Sequence, residues 1–512
     1  MVATADAHPS DFDPDEFRDL GYRTVDIIAE YFEHVDELPV FPGKPQSVVE
    51  SVFDEPLPER GQPPREILDA WPERILPNST HVGSPRYFGY VMGSGTTMGV
   101  LADALAASVN VNAGGWKPAP AATEIERQTI EWVAEMIGYP TDCGGLFTSG
   151  GTMANLTGIL TGLRSTAGYD TKSRGLQADD RPGRFTIYMS DHEGHSSIYR
   201  VAELLGLGAD AVRLVPSHDD FTMDVDALAE RLDRDEADGD VPFCVVAQVG
   251  SINVGAIDPL EAIADVCEAR DIWFHADGAC GAVGAMLPEK RPQYAGLDRA
   301  DSVTLDPHKW LSIPYECGCV LVRDPSAMER SFAMHASYLE GTARTPYEGL
   351  DYYELGPQMS RGFRALKVWM SVKHLGVEGY RARLSQTVQC TAHLDARVRD
   401  ADDFVALHEP NLYLYSFQYA PPDLQMAAAA DANVHDAVDE YLDALNQRIA
   451  DEIQLSDVAF VMTTSIHDRT VLRLSICSHR TTTDDIDRTF ETLRDIGERE
   501  DATLRETFEI AR

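Results

Sequence analysis

Lys309 stands in "LDPHKWL", residues 305 to 311, directly after a histidine and at the end of an apolar run. Pro307 fixes φ and lacks a donor, so the stretch suits a strand terminus, where a lysine ordinarily points to water. An amine that is instead desolvated there has a depressed pKa and suits Schiff-base chemistry. Three other stretches bear on that choice. In "FTSGGTMANLTGILTGLR", residues 147 to 164, Ser149, Gly150, Gly151 and Thr152 open a helix carrying Leu156, Ile159, Leu160 and Leu163. Glycines let backbone N–H groups approach an anion, and a helix N-terminus favours phosphate. In "WFHADGAC", Asp277 follows a strand, with the small residues Gly278 and Ala279 beside it. "SDHEGHSSI" contributes His192 and His195. Taken singly, these are a capped helix start, a turn-forming aspartate and surface histidines.

Together they make a chemical sense that none has alone. A phosphate cradle, an acid, an imidazole and an amine, in chain order, are what pyridoxal 5′-phosphate (PLP) requires. Lysine binds the aldehyde, aspartate faces the pyridine nitrogen, and a flat ring stacks on the cofactor.

Those groups need a scaffold. Short β-rich runs, "RFTIYM" (184–189), "FCVVAQV" (243–249), "IWFH" (272–275), "SVTL" (302–305) and "CGCVLVR" (317–323), alternate with helical stretches such as "DPLEAIADVCEAR". This alternation predicts an α/β fold with a mostly parallel sheet flanked by helices, whose ligands sit beyond the carboxyl ends of the strands. Residues 14–36 read as an amphipathic helix through Phe17, Leu20, Val25, Ile28 and Tyr31, and the proline-rich passage from Leu38 to Pro64 as an extended arm. Thr123 and Glu126 have capping-box form before a helix that ends at Gly138 and Pro140. Beyond about residue 385 the chain reads as a small α+β segment with strands "LYLYSFQY" and "TVLRLSI" and a closing acidic helix. The expected division is an N-terminal helical arm over 1–100, a large cofactor-binding domain over 101–385, and a small α+β domain over 386–512.

Composition narrows the function classes. With 512 residues, 44% hydrophobic, the chain can bury a large core. Asp and Glu total 84 against 43 Lys and Arg, a formal charge of −41. Such a surface repels nucleic acid and anionic membrane, and it suits solubility in high salt, where carboxylate repulsion is screened. A halophilic source is expected. The eight cysteines form no CxxC pair, and Cys317 and Cys319 alternate onto one strand face, so no metal site is expected. The first residues lack the form of a signal peptide, and no apolar run reaches membrane-spanning length; the cytoplasm is expected.

The stretches "DPHKW", "HADGA" and "SGGTMAN" resemble the group II PLP-dependent amino acid decarboxylases, which act on aromatic amino acids, glutamate, histidine or diaminobutyrate. The resemblance runs from about Asp15 to Leu384. It implies fold type I, a homodimer with shared active sites, and an N-terminal segment wrapped around the partner. It implies a cofactor set of Lys309, Asp277, His195, Ser149, Gly150, Ala279 and Gln248, the last where threonine is often found. His195 precedes Ser196 and Ser197 as the family's stacking histidine does, although "SDHEGHSS" is one residue longer than usual and leaves His192 a candidate. Asp306 replaces a frequent asparagine and is expected to turn away from the phosphate, since an acid facing it is costly. His308 is expected to orient the bound groups. Tyr338, in "MHASYLEGTARTPYEG", matches the loop tyrosine that protonates the α-carbon. Tyr90, Val91, Met92, Asn112 and Trp116 align with the substrate-lining stretches.

The implied activity is decarboxylation of an L-amino acid to its amine and CO₂, with aromatic substrates favoured. Aromatic enzymes usually carry bulkier residues at the positions of Val91 and Gly114, so glutamate and diaminobutyrate remain alternatives. An aldehyde synthase would carry phenylalanine in place of Tyr338. Arg361 and Arg364 could be misread as an aminotransferase's carboxylate clamp, but the helical periodicity of Ala365, Val368, Trp369 and Val372 favours a structural or cofactor-supporting role. A non-catalytic binding protein would have little reason to keep Lys309, Asp277 and Tyr338 together.

Overall fold

A computed structural model describes residues 11–179, 181–192, 194–334, 349–430 and 432–508. Among these, seven strands form the large sheet: β1 (Gly144–Thr148), β2 (Arg184–Ser190), β3 (Val212–Val215), β4 (Asp240–Gln248), β5 (Trp273–Asp277), β6 (Ser302–Leu305) and β7 (Gly318–Val322). Their order is β1-β7-β6-β5-β4-β2-β3. β3, β2, β4, β5 and β6 run parallel, and β7 pairs antiparallel with both β6 and β1. Every residue of β5, β6 and β7 is buried, as a sheet covered on both faces requires.

The β-rich runs therefore become strands, but β1 and β3 were not anticipated. β1 opens on two glycines, and a Cβ at Gly145 would come within 2.8 Å of the Val320 carbonyl oxygen. That position is kept bare for close approach to β7, which erases the apolar pattern a strand otherwise shows.

The helices preceding the sheet are α1 (Pro14–His34), α2 (Gln46–Phe53), α3 (Pro64–Ala70), α4 (Thr97–Val109) and α5 (Pro120–Ile137). Two expectations are corrected here. The arm between Leu38 and Pro64 is not extended throughout, because the proline-free stretch 46–53 winds into α2 behind Pro45. Thr123 does not cap α5. Pro120, whose fixed φ and missing donor suit a first helical position, starts the helix earlier. Glu126 is then drawn into the core, where it accepts from the Phe147 amide at 2.9 Å and pairs with Arg361.

A second sheet, β8 (Phe404–Ala406), β9 (Leu414–Tyr419), β10 (Met462–Ile466) and β11 (Arg469–Ser475), is antiparallel in the order β10-β11-β9-β8. Position 385 falls inside the helical span Ala365–Asp400, which kinks at Gly376. Trp310 donates to Thr387 at 2.8 Å, and His393 lies 2.8 Å from Asp487 of the closing helix. Among the described residues, no helix is long and apolar enough to cross a membrane.

Candidate active site

The carboxyl ends of β4, β5 and β6 meet at one cavity. Gln248 ends β4 and Asp277 ends β5, and the two are register partners; Asp306 and Lys309 follow β6. Opposite them stands the start of α6 (Gly151–Thr166), which contributes Gly151, Thr152 and Asn155, while His195 and Ser197 come from the chain after β2. Ala279 and Cys280 complete this wall.

A directed run of hydrogen bonds fixes the acid. Trp273 Nε1 donates to Ser302 Oγ at 2.8 Å, and the Ser302 hydroxyl donates to His275 Nδ1 at 2.7 Å. His275 Nε2 then donates to Asn155 Oδ1 at 3.0 Å, and Asn155 Nδ2 donates to Asp277 Oδ2 at 2.8 Å. The other Asp277 oxygen accepts from the Ala279 amide at 3.2 Å. Burial brings His275 down to about 4, so it enters this chain neutral, with one donor and one acceptor. Asn155 also donates to Ser197 Oγ at 3.1 Å, which leaves the Ser197 hydroxyl to donate to His195 Nδ1 at 2.8 Å. Burial lowers the His195 pKa, with partial opposition from Asp277. His195 is therefore a neutral ring held by one edge.

Asn155, Ser197 and His275 were missed as site residues. Strand alternation puts His275 on the face of Asp277, and helical spacing puts Asn155 one turn past Gly151, so both had a periodic signal.

Lys309 departs from expectation. Burial lowers its pKa, but Cys280, Asp306 and Asp277 outweigh that effect, and the net shift is upward rather than down. Its Nζ lies 3.0 Å from Asp306 Oδ2 and 3.6 Å from Cys280 Sγ. Asp306 does not turn aside. It is 4% exposed, lines the cavity, and presses Oδ2 toward the helix start, where a Cβ on Gly151 would come within 2.8 Å. The reason is local: Asp306 is the buried partner that the Lys309 ammonium requires. His308 Nδ1 accepts from the Cys317 amide at 2.9 Å, and its ring stacks on Tyr315 at 4.2 Å. Burial takes its pKa down to about 4.

The remaining candidates are placed as follows. Ser149 and Gly150 lie just before the cavity wall, which Gly151 and Thr152 form, and Gly150 packs beneath His308. His192 is exposed beside Asp191. Tyr90 is exposed, Val91 belongs to the main core and Met92 accepts from the Tyr87 hydroxyl; none lines the cavity. The segment still touches the lysine turn, since Gly93 donates to the His308 carbonyl at 3.1 Å and has no room for a side chain against Lys309. Asn112 accepts from the Gly114 and Arg361 amides, and Trp116 donates to Glu124, so both serve local structure within the chain. Arg361 is spent on Glu126 and the carbonyls of Ala113 and Phe147, and Arg364 bonds Glu316, so neither clamps a carboxylate here. Tyr338 lies outside the described residues.

This donor set fits PLP. The amine is present, the carboxylate is fixed, and the cavity wall includes a helix start for phosphate. Gln248 Nε2, buried without a hydrogen-bond partner, is a spare donor in the same wall.

Comparison with known proteins agrees. A model of the pyridoxal-dependent decarboxylase conserved domain matches residues 45–420. An aromatic-L-amino-acid decarboxylase of Bacillus atrophaeus is 32% identical over 92% of this chain and 93% of its own. A phenylacetaldehyde synthase of a Rosa hybrid cultivar is 27% identical over 91% and 90%. A crystal structure of Oryza sativa TDC with PLP and tryptamine superposes with a TM-score of 0.87 at 26% identity, covering 96% of this chain and 99% of that one. A match that spans both the glycine turn and Lys309, carried on the same fold over nearly the whole length, places this chain in the pyridoxal-dependent decarboxylase family, as a PLP-dependent amino acid carboxy-lyase.

Proposed function

We propose that the protein decarboxylates aromatic L-amino acids, with Lys309 holding the cofactor and Asp277 tuning it. The observation that carries the site assignment is the donor run ending on Asp277, in a cavity shared with Lys309. Bound PLP supplies an electron sink for the pair released when the Cα–carboxylate bond breaks. Asp277, held by Asn155 and the Ala279 amide, keeps a proton on the pyridine nitrogen. His195 offers a neutral face for stacking, the start of α6 receives the phosphate, and His308 is fixed near the lysine. Tyr338 takes the role its resemblance implies, returning a proton to the α-carbon.

Aromatic specificity is supported by the named activity of the Bacillus relative. The synthase relative supports a second reading, aldehyde production, against which Tyr338 stands. The test is a panel of L-amino acids followed for CO₂, amine and aldehyde. Tryptophan, tyrosine or phenylalanine should give the highest kcat/KM, with amine as product. Preference for glutamate or diaminobutyrate, or aldehyde and ammonia in place of amine, would overturn the reading.

We also infer a homodimer, working in high salt. Leu101, Leu105 and Val109 make a stripe along α4 at 50%, 53% and 57% exposure, and Phe17 of α1 stands 67% exposed. Such a stripe on so acidic a chain suits a second copy. Leu101→Glu with Leu105→Glu should yield a monomer by size-exclusion mass and lose most activity. The unchanged protein should run as a dimer and melt higher in molar KCl than in dilute buffer, because salt screens its carboxylates. A monomeric wild type, or a higher melting point in dilute buffer, would contradict the respective inference.

A further inference from the structure

The structure assigns Asp306 a role as a charge brake on cofactor affinity: its carboxylate shares the phosphate's place between the start of α6 and the Lys309 ammonium. This rests on the cofactor placement proposed above. Asp306 Oδ2 is 3.0 Å from Lys309 Nζ and 3.6 Å from His308 Nε2, and a Cβ on Gly151 would come within 2.8 Å of it. Asp306 Oδ1 is buried with no hydrogen-bond partner. α6 is a 16-residue helix with no side-chain cap at its start, and its dipole favours an anion there.

Two anions therefore meet at one helix terminus. The pair of Asp306 with Lys309 is complete in itself, so a phosphate arriving at Gly151 and Thr152 gains the helix dipole but faces a carboxylate. At low effective dielectric, repulsion between charges a few ångströms apart is large. The phosphate should thus contribute less affinity here than beside a neutral residue. An asparagine keeps the shape and removes the repulsion.

The test separates phosphate from aldehyde. The full chain is titrated with PLP and with pyridoxal, which lacks the phosphate, at about pH 8, where the phosphate is a dianion. Binding is followed by the visible band of the lysine-bound aldehyde rather than by activity. Asp306→Asn should lower the Kd for PLP at least about tenfold while leaving that for pyridoxal within about threefold or raising it, since only PLP brings the second anion. Equal changes for both ligands would mean that Asp306 acts only through Lys309, and an unchanged or weaker Kd for PLP would mean that it does not oppose the phosphate; either result overturns the assignment. Asp306→Ser carries the same expectation should the amide variant fail to fold. A visible band that survives Lys309→Ala would indict the cofactor placement instead, and so is distinguishable from failure of the brake.

Discussion

Lys309→Ala should abolish turnover and the visible absorption of bound cofactor. Among the described residues, Lys309 is the only lysine lining the cavity; the buried Lys367 is committed to Asp103 and the Tyr315 carbonyl, each at 3.3 Å. The variant leaves Asp306 buried without its cation, at a cost of about 3–5 kcal/mol of stability. Loss of the band could then be blamed on unfolding. The double variant Lys309→Ala with Asp306→Asn removes the stranded charge, should melt closer to the wild type, and should still lack the band. Absorbance and thermal melts on the three proteins check this. A band in either variant would detach Lys309 from the cofactor.

Asp277→Asn should leave the cofactor bound but lower kcat by about 10²–10³, about 3–4 kcal/mol of transition-state stabilisation, the size seen when one preorganised electrostatic contact is removed. An amide cannot hold a proton on the pyridine nitrogen. It would also place an NH₂ group against Asn155 Nδ2, which now donates to Asp277 Oδ2, so the donor run that begins at Trp273 would lose its terminal acceptor or force an amide flip. The signature is a fall in kcat with an unchanged PLP band intensity. A kcat within a factor of about three of wild type would leave Asp277 as a turn residue only.

Legibility in the sequence followed the physical signal. The central strands were readable because buried parallel strands are continuous apolar runs, and "FCVVAQV" and "SVTL" lie within or at β4 and β6. β1 was hidden by Gly144 and Gly145, whose bareness serves packing against β7. The α5 capping box failed because a local motif lost to a tertiary partner: Glu126 pairs with Arg361, far along the chain. Asp277, Lys309 and His195 converge as expected from strand ends and motif order. The facing of Asp306 departs from the sequence expectation because the Lys309 ammonium, 3.0 Å away, holds it toward the cavity. Asn155 and His275 are invisible as chemistry because neither type is diagnostic; only the run from His275 through Asn155 to Asp277 gives them meaning.

The central claim is that the cofactor is carried on Lys309. Borohydride reduction of the PLP-loaded protein fixes the aldehyde carbon to whichever amine holds it, and peptide mass mapping then names the residue. A phosphopyridoxyl mass is expected on the peptide containing "DPHKW" and on no other. The same mass on a peptide without Lys309 would contradict it.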